Sequence, residues 1–128
     1  MHNLAGDVDP IVTEVCEAAH RAVAQGRWLV DELVQLAARW TDEVAPRRGS
    51  TAERLLRVLP SQPAVHVALI VERLGVSETA ARRAIERAAG AGVLRETSDR
   101  SRDRVWIAPD VLEILDDFAS RAGRLPVS

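Results

Sequence analysis

The chain has 128 residues, enough for one domain or for a small domain with a helical attachment. A single cysteine excludes an internal disulfide, and no run of ~18 apolar residues is present that could span a membrane. Its formal net charge is −2, and the acidic first nine residues lack the basic start and apolar stretch of a signal peptide. We therefore expect a soluble cytoplasmic protein.

Charge and apolar content are unevenly distributed. Hydrophobic residues make up 47% of the chain but aromatic residues only 3%, so the core must consist mainly of Leu, Val, Ile and Ala, which favours helices. Residues 51–108 hold ten Arg and seven acidic residues, whereas the segments on either side are net acidic. The only basic segment is therefore the central one, where a nucleic-acid contact would be sought.

The N-terminal third predicts a long helix. Asp9 and Pro10 suit the N-cap and the first helical position. Apolar residues then follow at helical spacing to about residue 44, interrupted at Gly26, which predicts one helix or a nearly continuous pair over 10–44. Because this length exceeds the usual globular range, we expect the helix to pack against a partner subunit, as a homodimer, or against a following bundle.

The middle of the chain predicts a helix, a minimal strand and a helix-turn-helix. Ser50 and Glu53 have capping-box spacing ahead of a helix that stops near Pro60, and Ala64-Val65 suits a short strand. Further helices are expected over 67–74 and 77–89. Gly75 suits a left-handed turn between them, and Ser77 suits the N-cap of the second. The residues expected to face the core are Leu69, Ile70, Leu74, Ala81, Ala84, Ile85 and Ala88.

The last third predicts a hairpin and a final helix. Strands are expected over 93–97 and 104–108, joined by the polar loop 98–103, and Pro109 opens the helix.

The order of elements is that of a winged helix-turn-helix, so the predicted fold is mainly α with a small β-hairpin wing, preceded by a long N-terminal helical segment. We divide the chain into the helical segment 1–49, for packing or dimerisation, and the winged-helix domain 50–128 with its C-terminal helix.

The second helix of the motif carries the first candidate site. The residues are Ser77, Glu78, Thr79, Arg82, Arg83 and Arg87. Short side chains at the helix start allow close approach to DNA, and arginine pairs with guanine edges or with phosphate. The alternative is an ordinary solvated helix face, on which Glu78 and Arg82 form a favourable pair.

The predicted wing carries the second candidate site. Arg100, Arg102 and Arg104 alternate along it and are expected on one side, where they would contact the minor groove or phosphates. Asp99 and Asp103 support the alternative of a solvated hairpin whose charges pair with each other.

No constellation in the sequence favours catalysis. His, Cys, Asp and Glu show no zinc spacing, and nucleophile elbows, phosphate loops and dinucleotide fingerprints are absent from the sequence. Cys16 is interpreted as a buried apolar residue and Trp106 as a cover of the core, whereas Trp28 falls off the main stripe and suits an interface. We expect no enzyme activity, no cofactor and no metal.

The motif segments resemble a known family. Leu-Gly-Val-Ser at 74–77, Ala-Arg-Arg-Ala-Ile-Glu-Arg at 81–87, Ala-Gly-Val-Leu-Arg-Glu-Thr at 91–97 and Arg-Val-Trp-Ile-Ala-Pro-Asp from 104 together resemble the C-terminal region of bacterial Fic-family proteins. The resemblance covers about residues 50–117 and extends loosely over 14–45. It implies an accessory winged helix, with a Fic-type catalytic domain as a further candidate partner.

The chain also departs from that family. Ala80 and Ala88 stand where the family usually has Thr and a large aliphatic residue, and the catalytic signature, a His-Pro-Phe-like start followed by Gly-Asn-Gly-Arg, is missing. The family's transfer of AMP is therefore not expected here.

Two functional hypotheses follow. The first is a module that binds double-stranded DNA, like a transcriptional regulator or an accessory domain of a Fic-like protein, with helix 77–89 in the major groove and wing 98–104 on the backbone. The second is a protein-interaction or dimerisation module without DNA binding. A continuous positive surface over 77–104 would favour DNA, and arginines neutralised by acidic neighbours would favour a protein partner.

Overall fold

The computed structural model describes residues 10–97 and 104–123. In chain order the elements are α1 (Pro10–Val44), α2 (Thr51–Val58), β1 (Ala64–Val65), α3 (Val67–Leu74), α4 (Glu78–Gly90), β2 (Arg95–Glu96), β3 (Trp106–Ile107) and α5 (Pro109–Gly123). The predicted fold class is confirmed: the protein is mainly helical with a small antiparallel sheet.

The first helix is continuous through Gly26, so of the two predicted alternatives, one helix or a nearly continuous pair, the structure has the single helix. Its two halves differ in burial. Leu36, Trp40 and Val44 in the C-terminal half are buried in the core, where α1 packs against α2 and α5. All residues from 10 to 20 are exposed, because the N-terminal half extends beyond the elements that cover the other half. The interpretation of Cys16 as a buried residue is therefore wrong.

The start of α2 forms a variant of the predicted capping box. The Ser50 hydroxyl accepts a hydrogen bond from the Glu53 N–H at 3.2 Å. The Glu53 carboxylate accepts from the Gly49 N–H at 2.8 Å, one residue before the N-cap rather than at it. On the next turn, the Arg54 guanidinium donates to the Leu74 carbonyl at 2.6 Å, which ties α2 to the end of α3.

The helix-turn-helix forms as its spacing predicts. Gly75 ends α3 in the left-handed conformation, with φ of 66°, and the Ser77 hydroxyl accepts from the Ala80 N–H to begin α4. A cap that the sequence did not predict begins α3, where His66 Nδ1 accepts from the Leu69 N–H at 2.9 Å. The buried face of α4 consists of Ala81, Ala84, Ile85 and Ala88, as predicted.

The sheet has the strand order β1–β3–β2, and both pairs are antiparallel. The strands have two residues each, shorter than the predicted spans 93–97 and 104–108, and loop 98–103 lies outside the described residues. The N–H groups of Val93 and Leu94 donate to the Ala88 carbonyl at the end of α4. They are therefore unavailable to the β ladder, and the side chains of both residues are buried in the core.

The helix-turn-helix and the sheet are joined by one core. Trp106 on β3 is 3% exposed, as expected for a residue that covers it, and Val111 of α5 is fully buried. Trp28 of α1 is half-buried under α5, with the Arg121 guanidinium 4.2 Å from its ring centroid. These contacts do not test the predicted division at residue 49, but they show that the C-terminal half of α1 shares the core of the winged helix.

The turn between α3 and α4 gives a stability prediction. Gly75→Ala should destabilise the protein by ~1–2 kcal/mol, because alanine is strained at positive φ although its Cβ would meet nothing within 4 Å. Gly90→Ala is the matched control, since its Cβ also meets nothing and no positive φ is required. Urea unfolding of both variants checks this, and an equal effect of the two would contradict the strain argument.

Candidate nucleic-acid interface

The outer face of α4 is small and mixed in charge. With the alanine face buried, the helix turns Thr79, Arg83 and Glu86 outwards, since these residues lie opposite Ala84 and Ala88 around the helix. Ser77 and Glu78 lie at the exposed N-terminal end. The short side chains at 77 and 79 leave the first turn accessible, as the sequence predicts.

Arg82 forms an ion pair within its own helix. Its guanidinium donates to the Glu78 carboxylate at 2.8 Å, in the favourable order of an acid four residues before a base. Both side chains are exposed, Arg82 by 43% and Glu78 by 71%, so the pair is worth less than ~1 kcal/mol. An exposed pair of this kind exchanges readily for another anion.

Arg87 lies on the body of the protein. Its guanidinium donates to the carbonyls of Val44 and Ala45, at 2.9 and 3.0 Å, where α1 ends. Pro46 disfavours continuation of the helix, and Ala45 adopts a left-handed φ of 46°. Arg87 thus satisfies carbonyls that the helix end leaves without partners and fastens α4 to α1, a role that the sequence did not indicate.

Arg83 is the predicted arginine of α4 whose guanidinium stays accessible to a ligand. It is exposed at the middle of the outer face, and within residues 10–97 and 104–123 its guanidinium forms no hydrogen bond or ion pair. Thr79 lies one turn before it on the same face, and Glu86 lies three residues after it. A ligand reaching this face therefore meets one unpaired cation beside one carboxylate.

Arg104 is held at the base of the wing. Its Nε and Nη2 atoms donate to the two carboxylate oxygens of Glu96 at 2.6 and 2.9 Å, and its guanidinium lies 4.9 Å from the Trp106 ring centroid. The hydrogen bond to Arg104 lowers the pKa of Glu96, and the same bond, with Glu86 as a lesser contributor, raises the pKa of Arg104. This bidentate geometry makes Arg104 less available to an outside anion than Arg82.

The other predicted wing residues, Arg100 and Arg102, lie outside the described residues. Arg95, which the sequence analysis passed over, is exposed on the edge strand β2 and has no ion pair among the described residues. The alternation of side chains along a strand could have indicated this role. Arg95 and Glu96 are adjacent on a strand, so the Arg95 side chain points away from Arg104 when Glu96 pairs with it.

The element order α2–β1–α3–α4–β2–β3, with β3 between β1 and β2, defines a winged helix-turn-helix protein. No protein-family model matches the sequence, and the search of curated proteins returned no match. The resemblance to the C-terminal region of Fic proteins thus stays a prediction. In the part of the chain that the structure describes, no helix is long and apolar enough to cross a membrane, and no three His, Cys, Asp or Glu residues are grouped to hold a metal ion.

Arg87 and Arg83 offer a matched comparison on one helix. Arg87→Ala should lower the free energy of unfolding by ~1–2 kcal/mol, because two carbonyls at the end of α1 lose their charged donor. Arg83→Ala removes the same charge one turn earlier and should change stability by less than ~0.5 kcal/mol. Thermal unfolding of both variants measures the difference, and equal midpoints would contradict the anchoring role.

The Glu96–Arg104 pair gives a prediction for pH. Because the pKa of Glu96 is held below its ordinary value of 4.5, the carboxylate stabilises the fold above that value, and this contribution is lost as the pH falls through the folded-state pKa. The Glu96→Gln variant should therefore have a lower melting temperature than the unchanged protein near neutral pH. The gap between the two melting temperatures should close in acid.

Melting curves at several pH values measure that gap. Glu72→Gln removes an exposed carboxylate that forms no ion pair among the described residues, and it serves as the control. A gap for Glu96→Gln that stays constant into acid would show that the ion pair does not contribute.

Proposed function

We propose that the protein is a DNA-binding winged-helix module, acting like a transcriptional regulator, with α4 in the major groove and the wing on the backbone. The observation that carries the proposal is the helix-turn-helix itself, in which the capped N-terminal turn of α4 and the unpaired Arg83 face outwards. A cytoplasmic location and a role without catalysis belong to the same proposal.

The structure narrows the set of residues proposed to contact DNA. Arg83, flanked by Thr79, is the first candidate for a base edge or a phosphate. Arg82 is the second, because its exposed pair with Glu78 is weak enough for a phosphate to replace the carboxylate. Arg87 is left out, since its guanidinium already binds the end of α1.

The two described arginines of the wing differ in how available they are to phosphate. Arg104 would have to give up two hydrogen bonds to Glu96 before it binds phosphate, whereas Arg95 on the neighbouring strand has no such cost. We therefore add Arg95 to the proposed backbone contacts, together with Arg100 and Arg102 as the sequence predicts.

A second function is favoured by the same ion pairs. Arg82 is paired with Glu78 and Arg104 with Glu96, and Glu86 shares the outer face of α4 with Arg83. A surface on which most of the described cations already have acidic neighbours suits a protein partner better than a polyanion. A protein-interaction module, including one that docks on a Fic-type catalytic domain, is the alternative proposal.

Fluorescence anisotropy with a mixed-sequence DNA duplex separates the two functions. The full chain should bind at low salt and lose affinity steeply towards physiological salt, because phosphate neutralisation releases counterions. Arg83→Ala should weaken binding by ~1–3 kcal/mol. Arg39→Ala removes an exposed charge from α1 and should leave the affinity nearly unchanged.

Two results would contradict DNA binding by α4. One is no detectable binding at low salt, which would favour the protein-interaction module. The other is an equal loss in Arg83→Ala and Arg39→Ala, which would mean that only the overall charge of the protein matters.

A further inference from the structure

The turn between α1 and α2 carries two adjacent arginines. Arg47 and Arg48 are both exposed, and neither side chain forms a hydrogen bond or an ion pair among the described residues. The Ser50 N–H donates to the Arg47 carbonyl at 3.0 Å, and Gly49 between them has a positive φ of 78°. Residues 47–50 therefore form a closed β-turn, which we call the basic turn.

The basic turn lies beside α4. The Arg87 guanidinium donates to the carbonyls of Val44 and Ala45, and Arg47 is only two residues further along the chain. Because successive Cα atoms are about 3.8 Å apart, the Cα atom of Arg47 lies within about 10 Å of that guanidinium. Arg83 lies one turn of α4 before Arg87, on the same face of the helix. The basic turn thus adds two unpaired cations to the side of α4 that carries Arg83.

The basic turn and the wing border α4 on different sides. Glu86 contributes to raising the pKa of Arg104, which places it near the base of the wing. Arg87, which contacts the end of α1, lies about 100° from Glu86 around α4. An α-helix with its side chains is about as wide as the major groove of DNA, so a helix in the groove has one sugar-phosphate backbone on each side.

We propose that the basic turn binds backbone phosphates of the DNA whose major groove α4 enters, on the side of α4 away from the wing. This contact rests on the proposed binding of DNA by α4. Arginine suits the role, because its guanidinium forms charge-assisted hydrogen bonds with phosphate oxygens. Contacts of this kind fix the orientation of a protein on the duplex and carry no sequence information.

The charge around the basic turn favours a phosphate ligand. Residues 46–58 hold four arginines and one acidic residue, Glu53. The Glu53 carboxylate already accepts a hydrogen bond from the Gly49 N–H at 2.8 Å and lies 3.9 Å from the Arg57 guanidinium. Arg47 and Arg48 therefore give up no ion pair when they bind an anion, whereas Arg82 must first leave its carboxylate.

Two further acidic residues precede the basic turn. Asp42 and Glu43 lie in the last turn of α1, and both are exposed. Neither of them forms an ion pair with Arg47 or Arg48. They lower the overall charge of this end of α1 but leave both guanidinium groups accessible to an anion.

The salt dependence of DNA binding tests the contact. Fluorescence anisotropy with the mixed-sequence duplex should show that Arg47→Ala/Arg48→Ala weakens binding about tenfold at low salt. The slope of log affinity against log salt should become shallower by about two, because two phosphates lose their cations. The loss should be the same for duplexes of different sequence, as expected for a backbone contact.

Three controls separate a phosphate contact from other causes. Arg27→Ala/Arg39→Ala removes the same net charge from exposed positions of α1 and should leave the salt slope unchanged. Arg47→Lys/Arg48→Lys keeps both charges and should retain most of the affinity. The urea midpoint of Arg47→Ala/Arg48→Ala should match that of the unchanged protein, because both side chains are exposed and unpaired.

The outcomes distinguish this contact from the proposed function itself. If the unchanged protein binds DNA but the alanine variants of the basic turn and of α1 lose affinity and salt slope equally, the basic turn is not a contact, and binding by α4 still stands. An equal loss in the lysine variant would also overturn the contact, because the charge would then not be what matters. No binding by the unchanged protein at low salt would overturn both proposals together.

Discussion

The alanine face of α4 is the constraint on which the rest of the winged helix depends. Ala81, Ala84 and Ala88 are almost completely buried, and α4 packs against both α2 and α3. Such short side chains let the helix axes approach closely, and the opposite face of α4, with Thr79, Arg83 and Glu86, stays exposed. The left-handed turn at Gly75 is required by the same packing, because α3 and α4 must both reach this core with only three residues between them.

Arginine partners decide how much of the predicted basic surface is available. Fixing Arg87 on the end of α1 strengthens the scaffold and reduces the positive charge that α4 offers to a ligand. Arg82 and Arg104 each have a carboxylate partner, but the pair to Glu78 has one hydrogen bond and the pair to Glu96 has two, so the second is the harder to exchange. Under the proposal of DNA binding, recognition would therefore centre on Arg83, and Arg82 would make a contact only by exchanging its carboxylate partner for a phosphate.

The sequence predicted what local physics controls and missed what depends on distant neighbours. The bounds of α3, the Gly75 turn and the Ser77 cap follow from short-range rules, and all three are confirmed. The strands were predicted too long, because Val93 and Leu94 look like strand residues until the carbonyl of Ala88 is known to bind their N–H groups. The partners of Arg87 are more than forty residues away, and no spacing rule indicates them. Cys16 was misplaced because an apolar stripe predicts a covered face and does not say that the protein's own core provides the cover.

The length of α1 carries it past the winged helix, while its end holds α4 in place. The same uninterrupted helix is exposed over residues 10–20 and, at its last residue and the one after it, provides the carbonyls that hold Arg87 of α4. A helix of 35 residues is about 52 Å long and bends only gently unless something breaks its hydrogen bonds. The position of α4 is therefore tied to a long, stiff element as well as to its neighbours in the helix-turn-helix. Under the proposal of DNA binding, Arg87 would influence recognition without touching DNA, because it fixes α4 against the end of α1.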